Sequence, residues 1–348
     1  MPALTREQAD ELIRGNTVER SVIPAGVRPK ISVCMVTYNH ARFINQALDS
    51  ALVQRVDCAF EIVIGDDSST DGTTEILLNY QQRHPDKIRV LLAQKNLGQF
   101  CGRTGQFNFI RTINACRGEY IALLDGDDYW TSDSKLQRQA DFLDQHRDGA
   151  GCFHNATVIG ETESSRKATW CPEHLPAIIE FPALLAGDPA PACGILFRRS
   201  LLPPLPDFFY RMPMADWALL LLLSEKGPFY YLPDALGAYR FHSGGIHSIL
   251  DETGHLQWCD DFYSQIEEYF KYYRGEIKRH HLLNHLDLLD HDLISGNRAA
   301  GRLHLMKSIR LYPYVKGKDF TLLRRILLLG FQTYAPGCYR MIKTVYRN

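Results

Sequence analysis

The chain has 348 residues, of which 45% are hydrophobic and 23% are charged, and its formal net charge at pH 7 is −1. This length and apolar content are sufficient for one large folded domain and a smaller one. The near-zero charge argues against a general nucleic-acid binder, because such proteins carry a basic surplus over the whole domain.

Cysteine usage and the N-terminus indicate the compartment. The nine cysteines are scattered and never form a C-x-x-C pair, which is typical of reduced thiols in a cytosol rather than of a disulfide framework or zinc ribbon. Residues 1–16 alternate charges and contain no apolar segment of signal-peptide length. No apolar run approaches the roughly 18 residues that a membrane span needs. We therefore expect a cytoplasmic protein without a transmembrane segment.

Residues 1–29 form the first predicted region, an N-terminal arm. A short polar helix is expected over residues 5–14, followed by a connector that contains Pro24, Gly26 and Pro29. We expect this arm to lie on the surface, packed either on the adjacent domain or on a second subunit.

From Lys30 onward, short apolar strands alternate with helical patterns. Strands are predicted at residues 31–36, 60–64, 88–92 and 120–124, and residues 41–53 carry apolar side chains at helical spacing. This alternation implies right-handed crossovers and a mostly parallel sheet. The predicted fold class is therefore α/β, with a Rossmann-like sheet flanked by helices over residues 30–248.

Polar clusters follow three of these strands. They comprise Thr37-Tyr38-Asn39, Asp66-Asp67 and the run from Asp125 to Asp128. Because ligands bind along the carboxyl edge of open α/β sheets, we expect the clusters to converge on one cleft. Taken singly, Tyr38 has an alternative interpretation as a core aromatic residue, and Asp71 as a helix cap.

The run from Asp125 to Asp128 is the most informative of these clusters. Its three carboxylates lie within four positions, directly after a buried strand. Like charges so close repel each other unless a cation or strong donors offset them, and a divalent metal with oxygen ligands is the usual solution. The alternative is an acidic turn or a helix cap.

Together these motifs resemble nucleotide-sugar glycosyltransferases of family 2, which have the GT-A fold. The matching segments are Val36-Thr37-Tyr38-Asn39, residues 66–73, Asn96-Leu97-Gly98, Gly118-Glu119-Tyr120 and residues 125–128, so the resemblance covers about residues 30–248. It implies a nucleotide site that includes Thr37, Tyr38 and Asn39, with Tyr38 flanking the base. It also implies that Asp67 accepts a hydrogen bond from the pyrimidine ring nitrogen, that Asp125 reaches the ribose, and that Asp127 ligates Mn²⁺ or Mg²⁺.

The resemblance extends to residues 189–217. It implies that Cys193 and Gly194 face the acceptor, although a tight turn explains the small residues equally well. Asp216 opens an apolar helix and matches the second residue of the family's Glu-Asp signature, which makes it the candidate catalytic base. Ala215 replaces the Glu of that signature. The alternative role for Asp216 is simple capping of the helix. By the same resemblance, Trp217 is assigned to the acceptor side.

Residues 239–242 resemble the family's Tyr-Arg-x-His segment. By this resemblance His242 completes the metal site, and Arg240 pairs with phosphate or with an active-site carboxylate. Ser243-Gly244-Gly245 supplies flexible backbone, so the stretch to Ser248 is predicted to form a lid over bound nucleotide.

Residues 249–348 are predicted to form a C-terminal helical region. His281 and His285 are four residues apart, which suggests either a metal site or simply a partly exposed helical face. Residues 316–348 carry seven basic residues against one acidic residue, a surplus of +6, together with an apolar face. Such a tail either binds an anionic membrane surface, forms a subunit interface or packs on its own domain.

We therefore predict a metal-dependent, inverting glycosyltransferase that uses a nucleoside diphosphate sugar, with UDP favoured, and a hydroxyl of a glycan or lipid-linked acceptor. Bacterial surface polysaccharide assembly is the expected setting, and the processive Gln-x-x-Arg-Trp signature is absent from the sequence. A homo-oligomer is compatible with this prediction. The alternatives are a sugar nucleotidylyltransferase, which would want a Gly-rich, Arg-containing loop after the first strand, and a non-catalytic nucleotide-sugar binding module.

Overall fold

The computed structural model describes residues 4–24, 26, 28–101, 105–160, 169–212, 214–245, 250–315 and 319–334. It divides into two compact units, Met1–Ser248 and Ile249–Asn348. Two segments that the sequence analysis singled out lie partly outside the described residues. These are the end of the predicted lid, at 246–248, and parts of the basic tail, at 316–318 and 335–348.

A sheet of ten strands, counted over the described residues, forms the centre of the first unit. The strands are β1 (Thr17–Arg20), β2 (Ile31–Thr37), β3 (Phe60–Asp66), β4 (Ile88–Ala93), β5 (Tyr120–Asp125), β6 (Tyr129–Trp130), β7 (Gly151–Gly160), β8 (Ile178–Ile179), β9 (Ile195–Arg198) and β10 (Phe229–Phe241). Their order is β1-β4-β3-β2-β5-β9-β7-β10-β6, with β8 paired to β10. Parallel ladders join β2 to β3 and β5, β3 to β4, and β7 to β10. Because these ladders include the longest strands, the sheet is mostly parallel, and the predicted α/β class is confirmed.

Helices cover the sheet and bury their apolar faces against it. In the first unit they are α1 (Arg6–Gly15), α2 (Ile44–Leu52), α3 (Thr73–Arg83), α4 (Gly98–Cys101), α5 (Gln106–Ala115), α6 (Lys135–Gln145), α7 (Phe181–Leu184) and α8 (Ala215–Ser224). Ile44 and Leu48 of α2 belong to the same buried cluster as Val33 of β2, Ile62 of β3 and Ala122 of β5. The central strands are buried on both faces, which explains why they are almost uninterrupted apolar runs.

The N-terminal arm packs on the first unit itself. Thr5 and Gln8 form a reciprocal capping box at the start of α1, which confirms the short helix expected there. The following residues, predicted as a connector, instead form β1, which pairs antiparallel with the edge strand β4. The strand β1 has four residues, of which three are polar, so its strand conformation depends on pairing with the edge strand β4 rather than on a local pattern.

The strand β10 is the second element that sequence reasoning missed. It runs parallel to β7, with register shifts between Leu232 and Ala235 and between Ala235 and Gly237. Pro233 lies inside this irregular stretch, where a missing backbone N–H is tolerated. The far end of β10 pairs with β6, so it brings Arg240 and His242 to the acidic turn that precedes β6.

The C-terminal unit is helical, as predicted. It contains α9 (Glu252–Ile266), α10 (Arg274–Ser295), α11 (Arg298–Leu311) and α12 (Phe320–Tyr334). Leu322 and Ile326 of α12 join Leu282 and Leu305 in its buried core, whereas Phe331 remains 44% exposed. Among the described residues, no helix combines the length and apolar character needed to span a bilayer. Contact of the tail with a membrane surface stays a prediction.

Candidate active site at the carboxyl edge of the sheet

The ends of β2, β3 and β5 meet at one edge of the sheet. Thr37 pairs with Asp66, and Val36 pairs with Asp125, so the polar residues that follow these strands begin side by side. The Asp67 amide donates to the Thr37 carbonyl oxygen at 3.1 Å, which links the first two strand ends. Tyr38 is half-buried at this edge rather than inside the core. The three predicted clusters therefore converge.

Asp67 presents an unsatisfied acceptor at this edge. Its side chain is buried, and its Oδ1 accepts a hydrogen bond from the Leu97 amide at 2.7 Å. Its Oδ2 is buried without a hydrogen-bond partner among the described residues. Burial raises the pKa of Asp67 to about 6, although the Leu97 amide and the nearby Arg111 guanidinium oppose this shift. A buried carboxylate oxygen of this kind is suited to a donor supplied by a ligand.

Asn39 holds the first two loops together. It adopts the left-handed conformation with φ of 56°, which asparagine tolerates better than most residues. Its side-chain Oδ1 accepts a hydrogen bond from the Thr70 backbone amide at 2.8 Å, while the Asn39 backbone amide donates to Ser69 Oγ at 2.9 Å. The side chain is thus committed to shaping the loop, and the predicted contact of Asn39 with nucleotide stays a prediction.

Asp125, Asp127 and Asp128 form a compact carboxylate cluster, with one oxygen from each lying within 4.8 Å of the others. Gly126 makes the turn possible, because a Cβ there would lie 2.7 Å from Thr37 Oγ1 and 3.0 Å from His40 Nδ1. Burial, followed by the charge of Asp127, raises the pKa of both Asp125 and Asp128 well above the ordinary value. The cluster therefore resists carrying three negative charges on its own.

Two histidines face Asp127. His242 Nε2 lies 3.0 Å and His40 Nε2 lies 3.6 Å from Asp127 Oδ2. Burial opposes ionisation of Asp127, but the hydrogen bond with His242 and the proximity of His40 outweigh it and lower the pKa of Asp127. The sequence analysis predicted His242 and assigned no role to His40, because a lone histidine after a strand carries no distinguishing signal.

The donor set suits a divalent cation. It offers carboxylate oxygens with imidazole nitrogens beside them, and Asp128 Oδ2 is buried without a hydrogen-bond partner in the described part of the chain. Hard divalent ions prefer such oxygen ligands, and Mn²⁺ also accepts imidazole. A positive charge at this point would offset the repulsion that raises the pKa of Asp125 and Asp128. The residues present therefore fit the metal that the sequence analysis predicted.

Arg240 is fixed beside the cluster by β10. Its guanidinium donates to the Asp127 carbonyl oxygen and to Gln46 Oε1, and it lies 4.6 Å from the ring centroid of Tyr129. Its backbone amide donates to Asp128 Oδ1 at 2.8 Å. The structure thus brings Arg240 to the acidic turn, partly buried and in a position from which it can neutralise an anion.

Asp216 lies in the first turn of α8, within electrostatic range of the cluster. Its Oδ1 accepts from the adjacent Trp217 amide at 2.9 Å, and the residue at the helix cap position is Met214, without a side-chain capping bond. The charge of Asp216 contributes to the raised pKa of Asp125 and of Asp188. Asp188 is a further acidic residue that sequence reasoning missed, because it stands in a Pro-rich loop with no motif of its own.

Cys193, Gly194 and Trp217 are all buried. Cys193 and Gly194 are buried in a 3₁₀ turn, and a Cβ at position 194 would lie 2.5 Å from the His154 carbonyl oxygen. Trp217 is 3% exposed and donates from Nε1 to the Leu184 carbonyl oxygen at 2.6 Å. Tight packing accounts for the sizes of these residues, and the tight-turn alternative describes residues 192–194, whereas their assignment to the acceptor side stays a prediction.

Known proteins are similar to this chain over a region that contains most of the candidate site residues. Residues 32–202 match the family described as Glycosyl transferase family 2. An uncharacterised protein of Mycobacterium tuberculosis is 34% identical over 216 residues, which cover 62% of this chain and 60% of that protein. TuaG of Bacillus subtilis, whose name refers to teichuronic acid biosynthesis, is 26% identical over 242 residues, covering 69% of this chain and 89% of TuaG. The match thus spans less than two thirds of the mycobacterial relative.

Solved structures show a similar fold. Residues 1–349 of S. aureus TarS align with a TM-score of 0.59 at 19% sequence identity, covering 91% of each chain. TarS has been crystallised with UDP and with UDP-GlcNAc. The mannosyltransferase PcManGT from Pyrobaculum calidifontis, in complex with GDP-Man and Mn²⁺, aligns with a TM-score of 0.52 at 15% identity, covering 97% of this chain and 89% of that chain. At these identities the likeness concerns the fold alone.

Proposed function

Since residues 32–202 match glycosyl transferase family 2, we propose that the chain transfers a sugar from a nucleoside diphosphate, with UDP favoured, to a hydroxyl of a glycan or lipid-linked acceptor. One observation carries this proposal. An unpaired, buried oxygen of Asp67 and the carboxylate cluster of residues 125–128 stand at the same edge of the sheet. The first suits a base with a ring N–H, and the second suits the metal-bound diphosphate of the same ligand.

The nucleotide half of the proposal assigns roles to Asp67, Tyr38 and Asp125. Asp67 Oδ2 accepts a hydrogen bond from the ring N–H of a pyrimidine, which supplies the partner that the buried oxygen lacks. Tyr38, half-buried at the end of β2, flanks the base. Asp125 reaches the ribose, and Thr37 and Asn39 shape the loop around it.

The phosphate half assigns Asp127 and His242 as the residues that would hold Mn²⁺ or Mg²⁺. The ion, when bound, offsets the negative charge of the departing diphosphate. Arg240, fixed by its bonds to the Asp127 carbonyl and Gln46, adds a second positive charge on this side. His40, whose Nε2 lies 3.6 Å from Asp127 Oδ2, helps to orient Asp127, and Asp128 accepts a hydrogen bond from the Arg240 backbone amide and so helps to position Arg240.

Asp216 is the proposed general base of an inverting, non-processive transfer. It takes the proton of the attacking acceptor hydroxyl while the hydroxyl oxygen forms a bond to the anomeric carbon. The bond from that carbon to the diphosphate oxygen breaks, and the electron pair leaves with the nucleoside diphosphate. Attack opposite to the leaving group inverts the configuration at that carbon.

Bacterial surface polysaccharide assembly remains the proposed setting, supported by the name of the relative TuaG. The nucleotidylyltransferase alternative is disfavoured by the loop after β2. That loop is held by the Asn39 side chain and by the Asp71 carboxylate, which accepts from the Ala41 amide at 2.9 Å. It contains Arg42 but no glycine, whereas a loop that binds a nucleoside triphosphate is expected to be Gly-rich.

Calorimetric titration of UDP, GDP, CDP and dTDP, each with Mn²⁺, Mg²⁺ or EDTA, tests the donor half. We expect selective UDP binding that collapses with EDTA and in Asp127→Ala. The matched control is Asp133→Ala, which removes a nearby exposed aspartate paired with Arg55 and should leave binding unchanged. Absence of nucleoside diphosphate binding with either metal would contradict the proposal, and turnover of UTP with a sugar phosphate would favour the nucleotidylyltransferase.

A further inference from the structure

A second cluster of metal-ligating side chains lies within the C-terminal unit. It combines Asp260 of α9 with His281 and His285, which are four residues apart on one face of α10. Asp260 Oδ1 lies 2.5 Å from His281 Nε2 and 3.2 Å from His285 Nε2. One ligand atom from each residue lies within 4.8 Å of the others. The carboxylate is the third ligand that the histidine pair lacks in the sequence pattern alone.

We propose that Asp260, His281 and His285 bind a divalent transition-metal ion of the Zn²⁺ class, which fastens α9 to α10. Two imidazole nitrogens and one carboxylate oxygen form a donor set that suits Zn²⁺ better than Mg²⁺ or Ca²⁺. The spacing of four residues places both imidazoles on one side of a helix, within reach of a single ion. This site goes beyond the proposed glycosyl transfer and does not depend on it.

Both histidines are buried, so their ring nitrogens have little access to solvent water. His281 is 7% exposed and His285 is 1% exposed. Such buried nitrogens need a polar partner, and Asp260 Oδ1 lies close to Nε2 of both histidines.

The two oxygens of Asp260 are divided between different partners. Oδ1 faces the histidines, whereas Oδ2 lies 3.1 Å from Lys307 Nζ on α11. Lys307 therefore leaves Oδ1 available as a single-oxygen ligand and fixes the orientation of the carboxylate. Hydrogen-bonded ligand carboxylates of this kind are a regular feature of protein metal sites.

The outer side of His285 supports the same assignment. Its Nδ1 lies 3.2 Å from His304 Nδ1, and His304 Nε2 lies 3.8 Å from Asp292 Oδ2, which is buried without a hydrogen-bond partner among the described residues. A metal on His285 Nε2 leaves the proton on Nδ1, which donates to His304 and so places the proton of neutral His304 on the nitrogen facing Asp292. The opposite tautomers would point a lone pair at that carboxylate.

A purely ionic network is the competing explanation. In that case Asp260 simply accepts hydrogen bonds from His281 and Lys307, and its stability contribution is independent of metal. The two explanations differ in a measurable way, because only a metal site makes the stability of the chain respond to added ions and chelators.

The experiment uses the full chain carrying Asp127→Ala, which disables the carboxylate cluster of the first unit. Zn²⁺ affinity is measured by competition with a chromophoric chelator, bound Zn²⁺ is counted by elemental analysis, and Co²⁺ is added as a spectroscopic probe. We expect one bound Zn²⁺ per chain. With Co²⁺ we expect the intense visible absorption that is typical of four-coordinate Co²⁺. Zn²⁺ should also raise the melting temperature.

Adding His281→Gln to this protein should weaken Zn²⁺ binding by more than the roughly 10- to 100-fold typical of losing an outer-shell partner. His291→Gln is the matched control, because His291 lies on the same helix but contacts Thr253. If the Asp127→Ala chain binds no Zn²⁺, or if His281→Gln and His291→Gln behave alike, the proposal is overturned. Should His281→Gln fail to fold, the Co²⁺ spectrum of the folded Asp127→Ala chain decides, and weak octahedral absorption alone would refute the site.

Discussion

At the scale of single residues, Asp67 illustrates how burial prepares a carboxylate for a ligand. One of its oxygens accepts a hydrogen bond from the Leu97 amide, and the other oxygen is buried and unpaired in the described structure. The same burial raises the pKa of Asp67 to about 6, so its charge changes close to neutral pH. Nucleotide recognition should therefore carry a pH dependence that originates in this residue.

Lowering the pH from 8 to 5 should weaken the binding of uridine. Asp67 is ionised above about pH 6 and accepts the ring N–H, whereas protonation below that value removes the acceptor. The affinity should fall by about tenfold for each pH unit below the pKa. NMR titration with uridine measures this effect without interference from phosphate ionisation.

The control for the pH experiment is Asp67→Asn. This variant should bind uridine more weakly at pH 8, by about 1.5–3 kcal/mol for a hydrogen bond to a charged group. Its affinity should also be insensitive to pH over the same range. An unchanged pH profile in Asp67→Asn would show that another group is responsible.

Asp216 should affect turnover but not nucleotide binding. Asp216→Asn retains the shape of the side chain and loses the ability to accept a proton, so kcat should fall by roughly 10²- to 10⁴-fold. Calorimetry with UDP should give a dissociation constant close to that of the parent chain, because Asp216 belongs to α8 rather than to the loops after β2 and β3. Parent-like turnover in Asp216→Asn would remove the residue from the proposed mechanism.

At the scale of secondary-structure elements, the site depends on how tightly β7, β9 and β10 pack. Gly194 ends a 3₁₀ turn that leads into β9, and its Cα approaches the backbone of His154 on β7. Backbone atoms cannot move aside in the way a flexible side chain can. The glycine is therefore needed for the antiparallel insertion of β9 between β5 and β7.

Gly194→Ala should lower the free energy of unfolding by about 1–3 kcal/mol, because the added methyl group overlaps the His154 carbonyl. Urea denaturation monitored by circular dichroism measures the change. Gly15→Ala is the matched control, since a Cβ there meets no atom within 4 Å and the position ends a helix. If Gly15→Ala were destabilised as much as Gly194→Ala, the overlap with the His154 carbonyl oxygen would not be the cause of the destabilisation.

At the scale of the whole molecule, the C-terminal unit leaves apolar side chains of α12 exposed beside a basic sequence. Phe320, Leu327 and Phe331 are 71%, 54% and 44% exposed, respectively. Residues 316–348 contain seven basic residues and one acidic residue, which gives a formal net charge of +6. This combination is typical of segments that associate with anionic lipid surfaces.

The full chain should therefore sediment with vesicles that contain anionic lipid and not with vesicles of neutral lipid alone. Binding should weaken as salt is raised from about 0.05 to 0.5 M, since the attraction is screened within a Debye length. Replacing Leu327 and Phe331 by Ser tests the apolar contribution. Equal sedimentation with neutral and anionic vesicles would contradict the electrostatic basis of this prediction.

Local patterns in the sequence were sufficient to predict the α/β architecture and the sheet edge at which the candidate site lies. Runs such as Ile31–Thr37 and Tyr120–Asp125 form buried strands because their apolar character is local, and charged residues must end them at the sheet edge. Parallel strands share their carboxyl edge, so convergence of the Thr37, Asp67 and Asp125 segments followed from the order of elements alone.

Which polar atoms of these segments have hydrogen-bond partners could not be predicted from the sequence, because it depends on tertiary packing. The pairing of His40 with Asp127, the free oxygen of Asp67, the burial of Cys193 and the meeting of Asp260 with His281 all join residues that are distant in sequence. The strand β10 likewise depends on β7 rather than on its own irregular pattern. Periodicity is a property of residues that are close in sequence, whereas burial and hydrogen-bond partners depend on the packing of residues that are distant in sequence. Burial and hydrogen-bond partners determine the chemistry of each carboxylate and imidazole.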